Sequence, residues 1–167
     1  LELKKQEDSV KATGVVSYDE RMIAGLSSRV SGNVWKVVKN IGDTVQRGDV
    51  LAIIDAAEVG RAKAEFLREL VAAETKSAIL SNLESVAEVV PGRQVREVRL
   101  AVREARFRLQ IAEQYLINLG LPAQKSEYEK LSDLERAEKL HFLGLPESIV
   151  RELDRNQTTS NLLALAA

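Results

Sequence analysis

The sequence predicts an α+β fold in which a small β domain is interrupted by a long antiparallel helical hairpin. Short Val- and Ile-rich runs separated by glycines between residues 30 and 55 favour strands and tight turns. The stretch from residue 61 to residue 90 contains neither Gly nor Pro, and the segment after Pro91-Gly92 carries a heptad repeat. Both features favour long helices that pack against each other.

The composition limits the possible functions. The 167 residues are 45% hydrophobic and only 4% aromatic, and 24 Lys and Arg nearly balance 25 Asp and Glu, which argues against a generally basic nucleic-acid-binding protein. The chain has no Cys, one His (His141) and one Met (Met22), too few ligands for a soft metal site. No nucleophile-base pair or phosphate-binding glycine loop is evident, so we expect no enzyme, no cofactor and no metal centre.

The N-terminal segment is predicted to contribute only partial structure. Residues 1–29 are interpreted as partial β-barrel-type strands and a linker, with short apolar runs at 15–18 and 22–26 on either side of an Asp19-Glu20 turn. No apolar run in the chain approaches the roughly 18 residues of a membrane-spanning helix.

Residues 30–55 are the most informative stretch. Strands are predicted near residues 33–39 and 50–54, with a short bridge at 44–45. Glycines separate these runs where tight reversals of the chain favour a positive φ. These structural turns are assigned to Gly32, Gly42 and Gly48.

Residues 56–120 predict an antiparallel α-helical hairpin. Asp55 and Glu58 fit a capping box at its start, and Pro91-Gly92 reverses the chain. The return helix has a strict heptad seam: Val95, Val98, Val102, Ala105, Leu109, Ala112, Leu116 and Leu119. The outgoing helix has a weaker one: Phe66, Leu70, Ala73, Ser77, Leu80, Glu84 and Ala87. Because its distal members are small or polar, we expect a loosely packed distal half.

A stripe of arginines lies beside the return seam and comprises Arg96, Arg99, Arg103 and Arg106. Three interpretations stay open. The arginines could pair with glutamates of the outgoing helix, namely Glu65, Glu69, Glu74, Glu84 and Glu88. They could instead bind the acidic surface of a protein partner, or nucleic acid, although stacking aromatic residues are missing between them.

Residues 121–155 predict short helices, and residues 156–167 a return toward the β domain. The helix stop Leu-Gly-Leu-Pro occurs at 119–122 and again at 143–146. Ser126 and Glu129 fit a capping box for a helix that runs to about residue 142, and Pro146 fits the first position of the next helix. Residues 162–167 are expected to start a strand, and His141 to pack or to face solvent.

The glycine pattern resembles the first half of a lipoyl/biotinyl-type β domain. The resemblance rests on Gly32, Val34, Gly42-Asp43, Val45, Gly48-Asp49, Leu51 and Asp55. Carrier domains of this type continue into a hairpin with a modified Lys, whereas the periplasmic adaptors, or membrane fusion proteins, of resistance-nodulation-division efflux pumps carry an inserted helical hairpin. A helix follows Asp55 directly, so residues 13–122 resemble the adaptors, particularly those of the heavy-metal branch.

The resemblance implies a half lipoyl/biotinyl-like β domain with an inserted coiled-coil hairpin. It also implies a non-enzymatic adaptor for cation efflux in the periplasm, associated with the inner membrane. The partners implied are an inner-membrane transporter of the resistance-nodulation-division type and an outer-membrane channel, with no nucleic acid. The returning half of the motif is missing, so we expect a fragment of a longer protein, held near the membrane by partners or by an N-terminal anchor outside this chain.

The end of the hairpin is the predicted partner contact, because it lies farthest from the β segment. Its residues are Ser85, Val89, Val90, Pro91 and Arg93. We also expect self-association, because half a β domain exposes an apolar face and open strand edges, unless residues 162–167 fold back over them. The alternatives are a carrier domain modified at Lys63 or Lys36, and a purely structural coiled-coil interaction module.

Overall fold

The fold was analysed in a computed structural model that describes residues 9–86, 91–154 and 158–167. It confirms the predicted α+β class. The elements, in chain order, are β1 (Asn33–Val37), β2 (Val50–Asp55), α1 (Ala57–Ser85), α2 (Gly92–Asn118), α3 (Asp133–His141), α4 (Glu147–Val150) and β3 (Leu162–Ala166). Short 3-10 turns occupy Glu20–Met22 and Lys125–Glu127.

The three strands form one antiparallel sheet in the order β1-β2-β3. All four helices lie between β2 and β3 in sequence, yet these strands are direct neighbours, and Asp55 of β2 pairs with Leu162 of β3. The strand predicted for residues 162–167 is therefore confirmed, and it folds back onto β2. The helical hairpin is an insertion between two adjacent strands of the same sheet.

The strands predicted before Gly32 are wrong for the part of that segment described, residues 9–29. This stretch contains one 3-10 turn and no strand, and Val15 and Val16 are fully exposed. Their apolar runs are too short to bury a face, and none of the strands that the structure describes pairs with their backbone. The bridge at 44–45 is also absent from the described sheet, because the chain there connects two turns, and β1 ends at Val37.

The glycines have two different roles. Gly42 and Gly48 adopt φ angles of +99° and +94° within turns closed by hydrogen bonds from Asp43 to Asn40 and from Asp49 to Gln46. Gly32 does not have a positive φ, which corrects its predicted role as a turn residue. It is instead required for close approach, because a Cβ there would collide with the carbonyl of Asp55 and the side chain of Ile54.

The two long helices form the predicted hairpin, and its packing differs along its length. At the sheet end, one hydrophobic core joins the seam residues Phe66, Leu70, Ala73, Ala105, Leu109, Ala112 and Leu116. Toward the far end Ser77 and Leu80 are only half-buried and Glu84 is exposed. The loosely packed distal half is thus confirmed, because small and polar seam residues bury little apolar area.

Three of the predicted helix starts are wrong. Residue Asp55 stays in the β2 ladder, so α1 begins after Ala56, and Glu58 accepts a hydrogen bond from Tyr115 Oη at 2.5 Å instead of closing a capping box. The capping box of α3 is formed by Ser132 and Glu135 rather than by Ser126 and Glu129. Pro146 is the N-cap of α4, one position before the first helical residue.

Candidate partner-contact surface

The start of α1 is fixed against the chain that returns to the sheet. Ala56 lies between β2 and α1, is fully buried, and donates its backbone N–H to the carbonyl of Asn161 just before β3, at 3.1 Å. A side chain at Gly60 would collide with Asn161, so α1 lies directly against the returning chain. These contacts set the direction in which the hairpin leaves the sheet.

A second attachment joins α3 to the middle of α1. The guanidinium of Arg136 donates to both carboxylate oxygens of Glu74, at 2.6 and 2.9 Å, and to the carbonyls of Tyr128 and Glu129 at 2.8 and 3.1 Å. Arg136 is 7% exposed. The planar guanidinium satisfies four acceptors at once, which few other side chains could do. Arg136 therefore holds α3 against the middle of α1.

The lysines of the carrier alternative do not occupy carrier positions. Lys63 is 2% exposed and donates to the carbonyl of His141, at the end of α3, at 3.1 Å. Burial lowers its pKa to about 8. Lys36 lies within β1 rather than in a turn, and its ammonium is 3.4 Å from Glu152. A modifying enzyme cannot reach Lys63 in the folded chain, and Lys36 is not presented at a loop.

His141 is a packing residue, as expected. Its ring lies edge-on to Phe142, with centroids 4.7 Å apart, and its Nε2 is 3.1 Å from Thr158 Oγ1. Among residues 9–86, 91–154 and 158–167, no group of three or more His, Cys, Asp or Glu side chains could hold a metal ion. Nor is any helix of this described part long and apolar enough to cross a membrane.

The predicted contact residues fall at the hairpin end remote from the sheet, as far as they are described. Ser85 is the last residue of α1 and is exposed, Pro91 is the N-cap of α2, and Arg93 is exposed in the first turn of α2, where it pairs with Glu97 at 2.9 Å. Val89 and Val90 lie outside the described residues. The polar contacts of Ser85 and Arg93 stay within their own helices, since Ser85 Oγ donates to the carbonyl of Asn82 at 2.8 Å.

Ion pairing between the helices explains one arginine of the stripe. Arg99 reaches Glu84 of α1 at 2.6 Å, whereas Glu65 and Glu69 pair with Arg68 on their own helix. Glu74 is engaged by Arg136, and Glu88 lies outside the described residues. Arg96, Arg103 and Arg106 have no ion pair with any side chain that the structure describes. Most of the stripe is therefore available to a partner.

Sequence reasoning missed the two buried cations, Arg136 and Lys63. Both are surrounded in sequence by other charged residues, so their pattern indicates solvent exposure. A weak signal exists for Arg136, which lies four residues before Leu140 and shares its buried face of α3. A comparable signal exists for Lys63, which lies four residues after Val59 and three before Phe66 and shares their buried face of α1.

The model of the CzcB-like, barrel-sandwich hybrid domain family matches residues 22–160. No curated protein matches the chain significantly. The crystal structure of ZneB from Cupriavidus metallidurans is similar, with a TM-score of 0.56 and 20% sequence identity over 87% of this chain. At that identity the likeness shows the fold alone, and the match spans about half of ZneB, 48% of its chain.

Proposed function

The chain belongs to the family of CzcB-like barrel-sandwich hybrid domains, and from this premise we propose that it is the hairpin-bearing part of an adaptor in a heavy-metal efflux pump. Membership confirms the family predicted from the glycine half-motif and the heptad hairpin. In the proposal, the full-length adaptor resides in the periplasm, is associated with the inner membrane, and joins a transporter of the resistance-nodulation-division type to an outer-membrane channel.

The main support for this proposal is that the hairpin is attached to the rest of the chain at two points, at the sheet and at Arg136. Helix α1 has 29 residues and is about 43 Å long at about 1.5 Å per residue. Its start is held at the sheet through Ala56. The ion pair of Arg136 with Glu74, here called the Arg136 clamp, holds α1 a second time partway along its length. A rigid arm with a free end suits a protein that bridges two partners.

We assign one structural role to each of the segments predicted from the sequence. Residues 30–55 and 156–167 form the base, residues 56–120 the arm, and residues 121–155 the brace, with residues 1–29 as a linker. In this proposal the chain contributes mechanical structure and partner contacts rather than catalysis or binding of the exported cation. The tip residues, Ser85, Val89, Val90, Pro91 and Arg93, are the proposed contact with the channel.

Site-specific cross-linking in cells tests the proposal. The chain has no Cys, so each of Ser85→Cys and Arg93→Cys introduces its sole thiol into this segment of the full-length adaptor. We expect a thiol-attached photo-cross-linker at either position to capture the outer-membrane channel. Leu134→Cys is the matched control, because Leu134 is exposed on α3 and remote from the tip. Capture of the channel from Leu134 and not from the tip would contradict the proposal.

A further inference from the structure

A groove lies between the two helices in the distal half of the hairpin. Its volume is about 360 Å³, and Leu80 of α1 lines it together with Arg99, Val102, Arg103, Arg106 and Phe107 of α2. The groove lies in the distal half, where the seam residues Ser77 and Leu80 are only half-buried. The small side chain of Ser77 leaves space that neither helix fills.

The groove is strongly positive on one side. Arg99 is neutralised by Glu84, but Arg103 and Arg106 are exposed and have no ion pair with a described side chain. The facing stretch of α1, from Thr75 to Leu83, contains Lys76 and no Asp or Glu. This stretch of α1 therefore offers no carboxylate to these two guanidinium groups. Uncompensated charge of one sign along a cleft favours a partner of opposite sign.

The groove also has an apolar component that continues onto the outer face of α2. Phe107 is 65% exposed although it lines the groove. It is aligned with Leu100 and Ile111, also exposed, at intervals of seven and four residues, so the three form one stripe along the helix. Exposed large apolar side chains that are contiguous in this way mark interaction surfaces.

We propose that this groove binds an amphipathic α-helix of a protein partner, whose carboxylates face Arg103 and Arg106. Apolar side chains of that helix would cover Leu80 and Phe107, and the three helices would pack as a local bundle. Arg99, Arg103 and Arg106 are spaced by four and three residues, the spacing at which acidic residues recur on one face of a partner helix. Each guanidinium can bind a carboxylate through two hydrogen bonds.

This site is distinct from the tip contact of the proposed function. It lies on the shaft of the hairpin, between the tip and the Arg136 clamp, and its argument uses none of the tip residues. Nucleic acid is disfavoured as the occupant because Phe107 is the one aromatic side chain that lines the groove, whereas single-stranded nucleic acid needs several for stacking.

Binding of a designed peptide tests the proposal directly. The probe is a fluorescein-labelled helix of about three heptads, with Leu at a and d and Glu at e and g. We expect fluorescence anisotropy to show binding that weakens as salt is raised. Arg103→Glu combined with Arg106→Glu should weaken it by about tenfold or more. The same peptide with Gln in place of Glu should bind weakly to the unmodified chain.

The control variant is Lys11→Glu combined with Arg47→Glu, which changes net charge by the same amount at two exposed sites away from the groove. It should bind the acidic peptide as the unmodified chain does. Circular dichroism verifies folding, and Arg103→Gln with Arg106→Gln replaces the charge reversal if that variant unfolds. Equal binding by the groove and control variants would overturn the proposal. Self-association that the groove variant abolishes, without peptide binding, would overturn it in favour of a second copy as occupant.

Discussion

Arg136 of α3 and Glu74 of α1 are 62 positions apart in the chain and form a two-pronged ion pair with N–O distances of 2.6 and 2.9 Å. The arginine is buried and the carboxylate is about one-third exposed. Loss of the arginine would leave a carboxylate and the Tyr128 and Glu129 carbonyls without their shared donor. Several consequences of this packing can be measured.

We predict that Arg136→Ala lowers the free energy of unfolding by about 2–3 kcal/mol. Removing one partner of a buried pair leaves the other poorly compensated, and the partial exposure of Glu74 limits the loss. Urea unfolding followed by circular dichroism measures the effect. Arg151→Ala is the control, because it breaks an exposed pair with Glu147 and should cost under about 0.5 kcal/mol. Equal losses of unfolding free energy in Arg136→Ala and Arg151→Ala would contradict a stabilising role for the Arg136–Glu74 pair.

Leu109→Asp should destabilise the hairpin by about 3–5 kcal/mol. Leu109 is 2% exposed at the centre of the seam, so the substitution buries an unpaired carboxylate and removes an apolar side chain from the core. Thermal melting of the far-ultraviolet dichroism signal checks it. Leu100→Asp lies on the opposite, exposed face of the same helix and should change the melting temperature little. Unchanged melting of Leu109→Asp would refute the assigned seam.

The buried Lys63 should make stability depend on alkaline pH. Burial lowers its pKa from the ordinary 10.5 to about 8, so between these values the unfolded chain binds more protons than the folded chain. The free energy of unfolding therefore rises with pH in this window, by up to about 1.4 kcal/mol per pH unit, relative to Lys63→Met. Urea titrations at pH 7, 8, 9 and 10 measure the difference.

The control for that titration is Lys130→Met, at an exposed lysine of the loop before α3. The free energy of unfolding of Lys130→Met should change with pH in the same way as that of the unmodified chain between pH 7 and pH 10. If the free energy of unfolding of Lys63→Met showed the same pH dependence as that of the unmodified chain, the ammonium of Lys63 would not be desolvated in the folded state.

Charge reversal at the tip should abolish efflux without unfolding the hairpin. Val90→Asp combined with Arg93→Glu, in the full-length adaptor, removes the apolar and positive character of the proposed channel contact, and Arg93 is exposed, so folding should be retained. Complementation of cation resistance measures function, and Leu134→Asp on α3 is the control. A folded tip variant that supports full resistance would remove the tip from the mechanism.

Self-association remains a prediction and is now restricted to the β1 edge. Strand β3 covers one side of β2, but no described strand pairs with the outer edge of β1, where Val34 and Val37 are more than half exposed. We expect light scattering to show dimers that form as concentration rises and that Val37→Lys weakens by placing a charge on the edge. A monomer at every concentration would favour the fold-back of residues 162–167 as sufficient cover.

The sequence was most informative where burial is periodic. The heptad positions from Val102 to Leu119 are buried as predicted, because this spacing places them all on the face of α2 that packs against α1. It was least informative where burial depends on a third element. Lys63 and Arg136 lie on the apolar faces of their own helices, but the return of α3 against α1, which covers them, is not encoded by that spacing. The same limit affected Asp55, whose cap signal was overridden by strand pairing with Asn33 and Leu162.

The insertion of the helices between β2 and β3 also has a kinetic meaning. Pairing of Asp55 with Leu162 closes a loop of roughly a hundred residues, which is entropically costly and slow for an unstructured chain. The α1-α2 hairpin is built from contacts that are closer in sequence, so it can form first and bring the two strand ends together. In this order of events the helical hairpin forms first and the pairing of β2 with β3 forms last. Substitutions in the hairpin seam should therefore slow formation of the sheet as well as of the helices.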